Sequence, residues 1–232
     1  MKRPTGISLF ATSILACAPL MAASNVVETN DRLHDAASVF SEVTSAPDKG
    51  IPQDLIERAK CIVIVPGMKK GAFIVGVKYG KGFISCRGSS DRSWSAPGAV
   101  RVEGGSFGFQ IGGSETDVVL LVMNDGGEKK LLESKFTLGA EGQVAAGPVG
   151  RTASAETDAK MTAEILSWSR ARGVFAGIAL QGATLREDLD DNAAMYGSKI
   201  SNRDIVTKWH EKTPAAAELI SMLNKYSPAK EK

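Results

Sequence analysis

An α+β fold, built as a glycine-rich antiparallel β-sheet or barrel with N-terminal and C-terminal helices, follows from three features of the chain. Short β-branched and aromatic runs crowd its middle, most of its 24 glycines fall between those runs, and helical spacing of apolar residues is confined to the two ends. With 232 residues, 43% hydrophobic and 23% charged, the chain can bury a full core and reads as one principal domain with small appendages.

The first residues carry a different signature. Met1-Lys2-Arg3 is a positive start, Ile7 to Met21 an apolar stretch short for a membrane span, and Ala22-Ala23-Ser24 a set of small residues suited to cleavage. Residues 1–24 therefore read as a secretory signal, which makes the expected location exported: periplasmic or secreted, envelope association included. Ile14-Leu15-Ala16-Cys17 also approximates a lipoprotein processing box, leaving two readings of Cys17: an acylated cysteine, or one inside a discarded peptide. The remaining organisation is a domain over residues 25–212 and a C-terminal helix and tail over 213–232.

The helical ends come first and last. Leu33, Ala36, Ala37, Phe40 and Val43 follow one helical face between Val27 and Ala46, and Pro52 opens a short helix reaching about Lys60. Leu185 to Tyr196 and Asn202 to Asn224 read as the closing helices.

Between them the texture is β. Ile62 to Val65, Ala72 to Lys78 and Gly82 to Arg87 read as strands of a meander separated by Pro66-Gly67 and Tyr79-Gly80-Lys81-Gly82. Runs at Ala99 to Val102, Gly105 to Ile111 and Val118 to Met123 continue it, and Glu128 to Phe136 follows as a short helix. Thr152 to Ser169 is rich in helix formers, yet Ala155, Thr157, Ala159, Met161, Ala163 and Ile165 alternate with polar residues, which predicts a strand. Gly173 and Gly177 then punctuate a strand pair reaching Ala183.

Charge is distributed unevenly. Without Lys2 and Arg3 the basic and acidic residues are equal in number, so net charge says little about partners. Residues 59–101, however, hold Lys60, Lys69, Lys70, Lys78, Lys81, Arg87, Arg92 and Arg101 against the single acid Asp91. This basic strand-turn segment is the candidate anion-binding surface. The alternative is that its lysines protect sheet edges and turns from pairing with other chains.

Cys61 and Cys86 are the two cysteines beyond the expected signal. In an oxidising compartment they can pair, whereas in a reducing one they would be two buried thiols on neighbouring strands.

Catalytic and cofactor motifs are missing from the sequence. His210-Glu211 lacks a second histidine where Pro214 stands, there is no Gly-x-Ser-x-Gly elbow, and Gly76 to Gly82 has neither the frame nor the terminal Ser or Thr of a P-loop. His34 and His210 read as surface or packing residues. Asp188, Asp190 and Asn192 alternate like the start of a calcium loop, but Ala193 replaces the glycine and Lys199 the glutamate, so the run reads as a solvated helix face. No metal and no cofactor are expected, and only Asp117, Arg151 and Tyr196 qualify as polar site candidates for an enzyme. Interleaved stacking aromatics beyond Tyr79, Phe83 and Trp94 are lacking, which argues against nucleic acid as a partner.

One ordered set of motifs has a family resemblance. Ala59-Lys60-Cys61, Lys70-Gly71-Ala72-Phe73, Tyr79-Gly80-Lys81-Gly82, Trp94-Ser95-Ala96-Pro97, Gly112 with Asp117, Ala146 to Arg151, Arg172 to Gly177, and Asn192 with Tyr196-Gly197 together resemble the SYLF domain, also called the Las17-binding or actin-regulator family. The resemblance spans about residues 28–212.

It implies a non-enzymatic domain that binds phospholipid or a membrane surface. Some eukaryotic members also bind actin, whereas the expected signal aligns this chain with exported lipid-binding members, for which actin is an unlikely partner and an envelope protein an alternative one. The first helix carries Asp31, Asp35 and Glu42 against Arg32, so it is not a basic interfacial helix. Anionic headgroups would fall to Lys69, Lys70, Lys78, Lys81 and Arg87.

Overall fold

In the computed structural model, residues 18–45, 50–72, 75–88, 93–107, 112–149, 163–171, 174–177, 180, 182–208 and 213–228 are described. Helix α1 (Ala18–Ser45) and the short α2 (Gln53–Arg58) precede four long strands, β1 (Cys61–Ala72), β2 (Val75–Cys86), β3 (Gly98–Phe107) and β4 (Gly112–Val122). After α3 (Asp125–Leu131) come β5 (Lys135–Thr137), β6 (Val144–Ala146), β7 (Ile165–Ala171), β8 (Val174–Gly177) and β9 (Thr184–Glu187). The chain closes with α4 (Leu189–Tyr196), α5 (Asn202–Lys208), a 3₁₀ turn (Pro214–Ala216) and α6 (Ala217–Tyr226).

The α+β expectation holds, as a curled mixed sheet in the order β5-β9-β3-β2-β1-β4-β7-β6, with β8 also on β7. All pairings are antiparallel except β6 on β7. The simple meander is corrected: β4 returns to lie beside β1, giving the order 4-1-2-3 of a Greek key.

Period-two alternation divides the sheet into two apolar faces. Ile62, Ile64, Phe83, Val119, Leu121 and Trp168 form the outer face, covered by Leu33, Ala36, Phe40 and Val43 of α1 and by Leu219 and Leu223 of α6. Cys61, Val63, Val65, Ile84, Val100, Leu120 and Ile165 form the inner face, covered by Leu131, Phe136, Leu138 and Val206. The apolar stripe of α1 is thus committed to the core. No described helix is long and apolar enough to cross a membrane.

Two expected turns are instead strand interior. Pro66-Gly67 is a bulge within β1: five steps from Ile64 to Lys69 oppose four from Phe83 to Tyr79. Gly67 adopts φ +57, where a side chain is disfavoured, and its N–H donates to Asp117 Oδ1 at 2.9 Å. Tyr79 to Gly82 runs straight through β2, and its glycines serve close packing. A Cβ at Gly82 would lie 2.0 Å from the Ile64 carbonyl oxygen, and one at Gly80 would lie 2.8 Å from Val65.

Helix boundaries also shift, for local reasons. Asn124 caps α3 by accepting from the Gly127 N–H at 2.8 Å, so the expected turn is a helix start and the expected helix over 128–136 ends early, giving way to β5. Leu185 belongs to β9, and α4 starts only after Asp188, whose side chain accepts from the Asp191 N–H. The closing helix is divided, with Pro214 opening a new turn. Of the strand expected over 152–169, Ile165–Ala171 is strand, and residues 152–162 lie outside the described ones.

Cys61 and Cys86 are directly opposed at one end of β1 and β2 and are joined as a disulfide. Of the two open readings, the paired one holds.

Candidate functional site

The bulge determines where the lysines point. Before it, Ile62 and Ile64 face outward; after it, the extra residue reverses the parity, so Met68 and Lys70 share the inner face and Lys69 the outer. Lys70 and Lys78 are then direct partners across β1 and β2, with Ser114 beyond Lys70 and Gly104 beyond Lys78. Neither lysine has an ion-pair partner among the described residues. Partial burial, and after it the Lys78 charge, lowers the pKa of Lys70.

On the reverse side of the same strands, the row is Glu115, Lys69, Tyr79 and Glu103. Among the described residues Lys69 makes no ion pair. Val77 and Tyr79 are 58% and 45% exposed, large values for apolar side chains in a sheet. The end of the β1–β2 pair away from the disulfide therefore carries Lys70 and Lys78 on its inner face and Lys69, Val77 and Tyr79 on its outer face. Phe73 lies outside the described residues.

The other cations of the basic segment are engaged internally. Lys81 is only 22% exposed and lies 2.9 Å from Asp191 Oδ1 and 3.1 Å from Asp188 Oδ2. Burial pushes its pKa down, but the bonds to Asp191 and Asp188 outweigh this and the net shift is upward. Arg32 Nη1 of α1 donates to the second oxygen of Asp191 at 2.6 Å. Arg87 is buried, its guanidinium 4.2 Å from the Trp94 ring centroid and donating to the Ser227 carbonyl at 2.9 Å. Lys60 pairs with Asp125 at 2.8 Å, and Arg101 with Glu103 at 3.0 Å. Of the five cations expected to meet anions, the structure groups Lys69, Lys70 and Lys78 on one hairpin and removes Lys81 and Arg87 to structural networks. Arg92 lies outside the described residues.

The acidic run is corrected too. Asp188, Asp191 and Asn192 are buried rather than solvated, while Asp190 stays exposed and pairs with Lys199 at 2.7 Å. Asn192 accepts from the Ala99 N–H at 2.7 Å and donates to Asn202, fixing α4 and α5 to β3. The clue was composition: four acids beside an asparagine exceed what one helix cap needs, and an isolated lysine such as Lys81 implies a partner elsewhere.

Of the candidates for an enzyme, the two described ones serve separate contacts. Asp117 pairs with Arg170 at 2.6 Å and caps the bulge, whereas Tyr196 donates to the Pro97 carbonyl at 2.6 Å, its pKa raised by burial. Arg151 and His210 lie outside the described residues. His34 pairs with Glu218 at 2.6 Å between α1 and α6.

Sequence reasoning missed an acidic groove of about 490 Å³ between α1 and the bulge, lined by Asp31, Asp35, Glu42, Glu115, Asp117 and Arg170 among others. Its carboxylates come from distant segments that only the bulged strand brings together.

A two-faced sheet domain with an exposed cationic hairpin at one end is the class of protein that these features define. The chain belongs to the Ysc84 family, described as Las17-binding protein actin regulator, whose family model matches residues 103–226. It is 32% identical over 191 residues to SH3 domain-containing YSC84-like protein 1 of Homo sapiens, covering 81% of this chain and 55% of that protein. It is also 32% identical over 179 residues to LAS seventeen-binding protein 3 of Saccharomyces cerevisiae, covering 76% and 39%. The chain thus spans about half or less of the length of these relatives.

Proposed function

We propose that the chain is an exported, non-enzymatic phospholipid- or membrane-binding protein that meets anionic headgroups through Lys69, Lys70 and Lys78. The observation that carries this reading is the direct opposition of Lys70 and Lys78 on one face of the hairpin, without an acid partner among the described residues, with Val77 and Tyr79 exposed on its other face. A lysine near an anionic bilayer contributes on the order of 1 kcal/mol, so Lys70 and Lys78 on one face, with Lys69, Val77 and Tyr79 on the other, give reversible attachment when the hairpin end enters the interface with both faces. Export rests on the pattern of residues 1–24.

The test is flotation with vesicles of neutral phosphatidylcholine, with and without anionic phosphatidylglycerol. Binding is expected only to the anionic set, and Lys70→Glu with Lys78→Glu should abolish it. Equal flotation of this double variant and the wild type would overturn the proposal.

A protein partner is the second reading. It is supported by the names of the relatives, which speak of Las17 binding and actin regulation, and by the acidic groove, whose chemistry suits a basic segment. Retention of a stoichiometric protein, lost on Asp35→Lys but not on Lys70→Glu, would favour it.

A further inference from the structure

The far end of the sheet carries a second constellation that lipid binding leaves unused. We propose that, when its disulfide is reduced, the protein binds one thiophilic divalent cation of the zinc class through Cys61, Cys86 and Glu128.

The two cysteines are directly opposed on β1 and β2 and face the inner core, fully buried. Glu128 comes from α3, which the Asn124 cap fixes over this end of the sheet. One carboxylate oxygen and both Sγ atoms all lie within 4.8 Å of one another. A tetrahedral zinc ion requires ligand separations of roughly 3.3–3.8 Å, so on reduction the two sulfurs must move apart by about 1.7 Å while the carboxylate oxygen closes in by about 1 Å.

Glu128 has no evident structural task. Its half-buried carboxylate makes no hydrogen bond or ion pair among the described residues. A carboxylate held against two sulfurs without a donor lacks a partner in the oxidised protein, and a cation supplies one. Two thiolates select against magnesium and calcium, which prefer oxygen ligands, and for zinc-like ions.

Access also exists. A groove of about 410 Å³ between α3 and α5, lined by Asp125, Glu128, Lys129, Leu132, Arg203 and Asp204 among others, reaches Glu128 from solvent.

The chemistry balances with an external dithiol as reductant. The dithiol gives two electrons and two protons, its own sulfurs join, and the Cys61–Cys86 bond breaks to leave two thiols. The divalent ion then displaces both thiol protons to solvent and accepts two thiolates and the Glu128 carboxylate. Metal and disulfide are mutually exclusive, so the site reports redox state.

The test uses the full chain, reduced with dithiothreitol, freed of reductant without oxygen and titrated with Co(II). One Co(II) per chain is expected, with thiolate-to-cobalt charge-transfer absorption that Zn(II) removes, and the oxidised chain should show none. Glu128→Gln should weaken Co(II) binding about tenfold or more while leaving both thiols present. Absent charge transfer in a reduced chain of native circular dichroism, or unchanged affinity in the Glu128→Gln variant, would overturn the proposal. Loss of native circular dichroism on reduction would do the same, since the site depends on the β1–β2 register.

Discussion

Lys70 and Lys78 stand directly opposite one another on adjacent strands, with neutral Ser114 and Gly104 as their outer neighbours. Like charges so placed destabilise a sheet by roughly 0.2–1 kcal/mol. Lys78→Thr should therefore raise stability by that order in urea denaturation while weakening flotation with anionic vesicles. A variant that lost stability would mean that the pair is neutralised from within the protein.

The bulge and its glycine form a second testable relationship. Gly67→Ala places a side chain at φ +57 and 2.6 Å from Glu115 Oε1, a contact that the flexible glutamate can relieve. Gly82→Ala meets backbone of β1 at 2.0 Å and has no such relief. Thermal denaturation should show a loss of about 1 kcal/mol for the first, from backbone strain, and about 3 kcal/mol or more for the second.

Asp191 holds Lys81 and Arg32 at once, joining α4 to β2 and α1. Asp191→Ala should cost about 1–3 kcal/mol rather than the full loss of a buried pair, because Lys81 keeps Asp188 and Arg32 keeps Glu28. Amide exchange should then rise first in α1. Uniform loss of protection would instead mean that the cluster supports the whole sheet.

The strands β1 and β4 were visible in the sequence as continuous apolar runs at residues 61–65 and 118–122, and α1 as a helical stripe, because both are local patterns. The bulge was not legible: Pro-Gly encodes a turn as readily as an interruption, and only the register of β4 against β1 distinguishes them. The basic segment was found, but its division was not, since Lys81 and Arg87 draw partners from Asp191 and Ser227, more than a hundred residues away.

His34 and Glu218 give the pH prediction. The hydrogen bond to Glu218, then its charge, raise the His34 pKa; Asp35 and Asp31 of its own helix act in the same sense, against a small burial effect. A raised folded-state pKa means that the contribution is fully present below the unfolded value of about 6.5 and is lost as pH rises through the folded value. Melting temperatures between about pH 5.5 and 8.5 should therefore fall more in the wild type than in His34→Gln. Parallel curves would show that the pair adds nothing to α1–α6 docking.

The single extra residue at Pro66-Gly67 acts as a parity device. All β1 side chains beyond it owe their side of the sheet to one unit of chain length, so a one-residue deletion would carry Lys70 outward and Lys69 inward. Related chains can thus transfer charge from one surface to the other by insertion or deletion alone, leaving composition almost untouched. A position-by-position comparison of lysines that ignores length at this point would align residues on opposite sides of the sheet.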